Sequence, residues 1–225
     1  MTVKFLSQSP SAHETTDALR AFLAHDKGTI LLLTGGFGSY ESGTSASEML
    51  SLMEWAAAKP KQRKIVILVG VFENKDTDSV TQAARKLAYL MINAEKTYLQ
   101  KTDERMDIPM VFMAVNKWHA KAIALFEPGK DFYDAKCAIF GSTNFSDSAL
   151  GGANFELDLF MDNQSPEGIT LLRSLMLKLK ALVDEGLKNQ KVRNFHKTVE
   201  EQIAALGRKG MCTPDAPDDI GKLIP

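Results

Sequence analysis

The stretch MVFMAVNKWHAKAIALF, Met110 to Phe126, decides how the chain is read. Met110 to Val115 is a short apolar run with the character of a buried strand. Trp118 to Phe126 alternates well enough to form another. Side chains two apart on a strand share a face, so His119 and Lys121 are expected to emerge side by side. An imidazole beside a fixed positive charge is what a nucleophile needs when it attacks a phosphate monoanion.

Upstream, Asp17 to Ala24 reads as a short helix and Thr29 to Thr34 as a buried strand, TILLLT being too short for a core helix. A loop rich in Gly and Ser follows, Gly35 to Ser47. Its glycines match neither a dinucleotide fingerprint nor a P-loop and are expected to rim the active site. Glu48 to Lys59 is an amphipathic helix with Met49, Leu52, Met53 and Ala56 at helical spacing. A basic connection, Lys61 to Lys64, leads into the strand Ile65 to Val71; its Lys61, Arg63 and Lys64 read equally as backbone contacts or as a solvated turn. Thr77 to Leu99 is a longer helix with Asp76 or Asp78 as its cap.

Downstream, a turn from Glu127 to Asp134 precedes the strand Lys136 to Phe140, and Ala153 to Met161 carries Phe155, Leu157 and Leu159 at period two. Gly168 to Leu206 is helical, as two helices broken near Gly186 to Asn189. Helices alternating with strands, then strands in succession, predict an α/β fold: an α-β-α sandwich on a mixed β-sheet with C-terminal helices. One catalytic domain is expected over residues 1–210, its helical C-terminal part at 168–210, with a tail at 211–225.

Composition excludes several classes. The 225 residues are 44% hydrophobic and carry a formal net charge of −1, enough for one sizeable core and no global pull toward nucleic acid or anionic lipid. Any anion-binding surface is therefore local. From Leu171 to Lys209 there are nine Lys/Arg against four Asp/Glu, a local cationic surplus read either as nucleic-acid contact or as a solvated helix face. Cys137 sits in an apolar run and is expected in the core; Cys212 is near a polar tail, and no disulfide framework is indicated. His13, His25 and His196 are expected at the surface. With no secretory leader and no apolar run long enough for a bilayer, the expected compartment is the cytoplasm, without a membrane partner.

Two further segments complete the chemistry. Gly141-Ser142-Thr143-Asn144-Phe145-Ser146 is a Gly-led turn at a strand end whose hydroxyl, amide and backbone donors suit phosphate oxygens. In Asn154-Phe155-Glu156 a strand carboxylate is placed to accept the Nδ1 proton of a histidine. In this order H-x-K, G-S-x-N and a Glu twelve residues beyond Asn144 resemble the phospholipase D superfamily, over roughly Ile30 to Met161. The resemblance implies His119 as nucleophile or general acid and Lys121 as phosphate-binding lysine. It implies Gly141, Ser142 and Ser146 around the substrate phosphate, Asn144 as a catalytic member of that turn, and Glu156 as the carboxylate orienting histidine. One departure is plain: the family's fuller signature has Asp five residues after the lysine, where this chain has Phe126, which argues against a phospholipase more than against catalysis.

The resemblance further implies covalent phosphohistidine chemistry with neither metal nor cofactor, one histidine attacking phosphorus while a second protonates the leaving oxygen. The chain has one H-x-K motif, so a homodimer with a shared active site is expected. A DNA endonuclease of restriction or defence type, or its catalytic module, is the preferred function, with sequence specificity either supplied by a protein partner or absent. A phospholipase or small-molecule phosphodiesterase, and a catalytically silent nucleic-acid-binding scaffold, are the alternatives.

Overall fold

The computed structural model describes residues 3–35, 37–38, 43–71, 79–106, 108–186, 188, 194–208 and 211. In chain order the elements are β1 (Val3–Ser9), β2 (Ala12–His13), α1 (Glu14–Leu23), β3 (Gly28–Thr34), β4 (Phe37–Gly38), α2 (Thr44–Ala58), β5 (Arg63–Val71) and α3 (Ser79–Thr102). They continue with β6 (Met110–Asn116), β7 (Lys121–Phe126), β8 (Cys137–Gly141), β9 (Phe145–Ser146), α4 (Asp147–Leu150), β10 (Glu156–Asp162), α5 (Pro166–Gly186) and α6 (Phe195–Ala205).

Eight strands form one mixed sheet in the order β2-β1-β10-β8-β7-β3-β5-β6. β3, β5 and β6 are parallel; β7, β8, β10 and β1 then alternate in direction. Every residue of β3 is buried, as are Ile65 to Val71 and Met110 to Val115, so these central strands are covered on both faces. α2 and α3 are the two crossovers of the parallel strands. Right-handed connections put both on one face, where they pack on each other and on β5. α5 reaches from β10 to β6 and covers the opposite face with Leu172, Met176, Leu179 and Val183, a stripe at helical spacing. Burying a side chain such as Ile67 or Leu68, both with no exposed surface, contributes about 1.5–3 kcal/mol.

Two expectations are corrected in detail. α2 starts at Thr44, inside the segment read as loop, because its orphan donors find a distant cap: the Asp147 carboxylate accepts from Ser45 N and Ser45 Oγ, each at 2.7 Å. His196 is buried rather than exposed. It lies on the inner face of α6 with Val199 and Ile203, stacks on Phe112 and accepts from Phe112 N at 3.1 Å, giving a partner to a donor on the sheet's edge strand β6. Of the period-two residues on β10 and before it, Phe155 and Leu157 are 86% and 59% exposed, while Asp158 between the leucines is buried.

Elsewhere the elements fall close to expectation, including two C-terminal helices separated after Gly186. The candidate caps Asp76 and Asp78, Cys212 and the tail from 212 lie outside the described residues. Met211, at the start of that tail, is buried and its carbonyl accepts from Ile108 N. Cys137 is a buried free thiol whose pKa burial pushes up to about 12, as suits a core residue. No helix among the described residues is long and apolar enough to cross a membrane.

Candidate active site

Strand direction gathers the three motifs. β3 and β8 end, and β7 and β10 begin, at the same end of the sheet, so Gly35, His119-Lys121, Gly141-Asn144 and Glu156 meet there although they span more than half the chain. Lys121, Gly141 and Asp158 are direct register neighbours across β7, β8 and β10. A side chain on Gly141 would collide with Asp158 Oδ1 and Leu157 O, so only glycine lets these strands close at this point.

His119 precedes β7 rather than belonging to it. Lys117 adopts a positive φ of 56°, and Trp118 Nε1 donates to Ala120 O at 2.9 Å, so an irregular turn presents the histidine at the surface. The pairing with Lys121 survives: Nζ stands 3.0 Å from His119 Nδ1 and 3.5 Å from Nε2. An in-plane approach along one lone pair would leave the other nitrogen far away. The ammonium therefore lies over the imidazole face and leaves the in-plane Nδ1 direction to other partners. Lys121 is itself buried, and burial lowers its pKa while the charge of Glu156 raises it.

Glu156 is half-buried. Its Oε2 accepts from Ser142 Oγ at 2.6 Å and its Oε1 from Asn154 Nδ2 at 3.4 Å, so the carboxylate is tied to the turn. Asn144 lies close behind: its Oδ1 is buried without a hydrogen-bond partner among the described residues, 3.4 Å from where a side chain on Gly35 would begin. That Gly35 position also meets His119 O and Lys121 Cε, both at 3.3 Å, so the glycine sits beside both residues; Gly36 and Ser39 lie outside the described residues. Ser146 has a different task. Its hydroxyl accepts from Ala149 N and caps α4, with Ser148 Oγ beside it.

Sequence reasoning missed two supports. Asp158 lies beneath the turn, its Oδ2 accepting from Thr15 Oγ1 and Thr143 Oγ1, each at 2.6 Å, and its Oδ1 from Thr143 N at 3.2 Å. An acid within the apolar run Leu157 to Phe160 was the available signal. Gly70 lets the backbone at Trp118 cross β5, since a side chain there would meet Trp118 O at 2.0 Å. A lone glycine inside an apolar strand carries that meaning.

The site can seat a phosphate between a lysine, a histidine and a turn of polar donors. Among the described residues no three His, Cys, Asp or Glu side chains group as metal ligands would. Part of the C-terminal cationic surplus is already matched: Arg173 pairs with Asp134, Lys180 with Asp184, Lys188 with Glu185 and Arg208 with Glu95.

No family profile and no curated protein sequence matches the chain. Solved structures do. A phospholipase D family member, Nuc from Salmonella typhimurium, superposes with a TM-score of 0.50 at 15% identity, over 82% of this chain and 95% of that one. The chain has the phospholipase D fold. NucT from Helicobacter pylori matches at 14% identity and TM-score 0.45, over 83% of this chain and 96% of its own. Phosphatidylserine synthase from Haemophilus influenzae matches at 14% identity and TM-score 0.49, over 91% of this chain and 46% of its own. In this phospholipase D fold the residues of the H-x-K and G-S-x-N segments and Glu156 share one end of the sheet.

Proposed function

We propose that the chain is a phosphodiesterase of the phospholipase D superfamily, acting without metal as a DNA endonuclease of restriction or defence type, or as its catalytic module. One observation carries the reading: Lys121 Nζ lies 3.0 Å from His119 at the end of the sheet where the Gly141-Asn144 turn and Glu156 converge. The fold match to a phospholipase D family member supports it.

A phosphate entering the site draws the Lys121 ammonium and the Asn144 amide to its non-bridging oxygens, a charge-offsetting role that a metal performs in other phosphodiesterases. Flipping that amide turns its NH₂ toward the oxygens. His119 Nε2 attacks phosphorus, the ester P–O bond breaks, and a second histidine gives its proton to the departing oxygen. Water then attacks the phosphohistidine, losing a proton to that second histidine, and releases His119. Glu156, tied to Ser142, accepts the Nδ1 proton of a histidine and stabilises its imidazolium form. The second histidine comes from another copy of the chain, giving a homodimer with one shared site.

The test is cleavage of plasmid DNA in EDTA by the wild-type chain, with His119→Ala as control. Cleavage abolished by chelation and restored by Mg²⁺ counts against the mechanism. A lipid phosphodiesterase is the second reading, favoured by Phe155 and Leu157, exposed on either side of Glu156. Faster hydrolysis of phosphatidylcholine vesicles than of DNA, lost in Phe155→Ser, would select it.

A further inference from the structure

At the opposite end of the sheet from the candidate active site, β3 and β5 begin side by side, Gly28 paired with Arg63. Gly35 closes the other end of β3, seven residues on, so the two ends are roughly 20 Å apart. A cavity of ≈ 460 Å³ opens there between the start of β3, the α2-β5 connection and the turn after β7. Its lining includes Lys27, Lys61, Arg63 and Lys64, between the apolar walls of Pro60 and Pro128, and contains no Asp or Glu.

This concentration of charge is out of proportion to the chain. Four of the six residues from Lys59 to Lys64 are cations in a protein whose net charge is −1. Asp26, just outside the cavity, is bonded by Lys59, and its carboxyl is held below the ordinary range first by that bond and further by the charges of Lys59, Arg63 and Lys27. Lys27 and Lys61 are exposed, and neither has an ion pair with any described residue.

Arg63 is built in rather than loosely solvated. Its Nε donates to Asp26 O at 3.0 Å, Nη1 to Trp55 O at 2.8 Å and Nη2 to His25 O at 3.2 Å, and its guanidinium stacks over the Trp55 ring at 5.0 Å. Backbone carbonyls thus fix its orientation, and among the described residues no carboxylate stands in ion-pair contact with it, Asp26 acting on it only through its charge. A guanidinium has five donors, so three bonds leave donors for a ligand. Like charges held together around a low-dielectric wall raise a local potential that only an anion relieves. The volume lies in the range of small-ligand sites, far larger than a single phosphate requires.

We propose that this cavity is a second anion-binding site, independent of the candidate active site, for a ligand carrying closely spaced phosphate groups. Those groups belong either to a free oligophosphate or to successive backbone phosphates of a nucleic-acid strand. The proposal stands whether or not the chain is a phosphodiesterase.

Binding is measured by calorimetry with inorganic tripolyphosphate and by fluorescence anisotropy with a labelled oligonucleotide, both at low salt. A His119→Ala/Lys121→Ala background silences the other phosphate seat. Lys27→Glu/Lys61→Glu is then added; both side chains are exposed, and Arg63 is left in place because its bonds hold the loop. Loss of about tenfold or more in affinity for tripolyphosphate supports the site and a free oligophosphate ligand. The same loss for the oligonucleotide alone assigns the site to nucleic acid. Less than about a threefold change for both probes, within what scattered surface charges give, overturns the proposal.

Discussion

Lys121 Nζ lies over the ring of His119, 3.0 Å from Nδ1 and 3.5 Å from Nε2, and the lysine is buried while the histidine is exposed. Burial disfavours the ammonium, so its pKa sits below the ordinary value of 10.5 despite the pull of Glu156. Phosphate binding needs the charged form, which is lost as pH rises through that lowered value. The alkaline limb of kcat/KM is therefore expected below pH 10.5, and that of kcat higher, because bound phosphate stabilises the ammonium. Lys121→Arg should remove the limb, since guanidinium stays charged; a limb unmoved by this substitution assigns it to another group. The stability sign is the reverse. The cost of burying the charge is fully present below the folded value and is relieved as pH rises through it.

Glu156→Gln keeps the shape of the side chain and an acceptor for Ser142 Oγ, now bonded at 2.6 Å. It loses the charge that stabilises an imidazolium. Turnover should fall on the order of 10²-fold, by analogy with triad carboxylates, while the melting temperature changes little. Ser142→Ala frees Glu156 from the turn without removing its charge and should cost less. Undiminished turnover in folded Glu156→Gln removes the orienting role.

Asp158 supports the turn from below, with Thr15 and Thr143 hydroxyls both 2.6 Å from Oδ2. Asp158→Ala strands two hydroxyls and the Thr143 N–H in a buried site. Stability is expected to drop by about 2–4 kcal/mol, read by denaturant midpoint. Thr143→Val removes one of those bonds and should cost about 1 kcal/mol. Equal stability of Asp158→Ala and wild type would show that water replaces the carboxylate.

How much of this was legible in the sequence depended on which interactions were local. The buried parallel strands were readable because both faces are covered and every position from Ile65 to Val71 is buried, leaving an uninterrupted apolar run. His119, Lys121, the Gly141-Asn144 turn and Glu156 were readable as an ordered set of residue types. What failed was carried by distant partners. The start of α2 at Thr44 rests on its cap Asp147, which lies 102 residues from Ser45. The burial of His196 depends on an edge-strand N–H across the fold. Alternation in Phe155 to Leu159 gave the period of β10 but not which face is covered, because a buried Asp158 is tolerable only when Thr15 and Thr143 arrive to bond it.

Counting motifs gives the last prediction. Attack on phosphorus and protonation of the leaving oxygen occur on opposite sides of the phosphorus, so one His119 cannot readily do both in the same step. Of the other histidines, His196 is buried in α6 and His25 follows α1, while His13 on β2 lies two strands from Glu156 with its Nδ1 3.2 Å from Gln8 Nε2. In the proposed dimer, two copies facing each other across a two-fold axis would supply both groups, with His119 exposed at the end of the sheet. Mixing His119→Ala subunits with an equal amount of wild type, under free exchange, leaves about one quarter of the dimers fully wild type by random pairing. Activity per total dimer should fall to roughly that quarter, because a heterodimer holds one of the two histidines it needs. Independent sites would instead leave about one half. A value near one half, or an active monomer in sizing experiments, rejects the shared site and leaves the phospholipase D fold untouched.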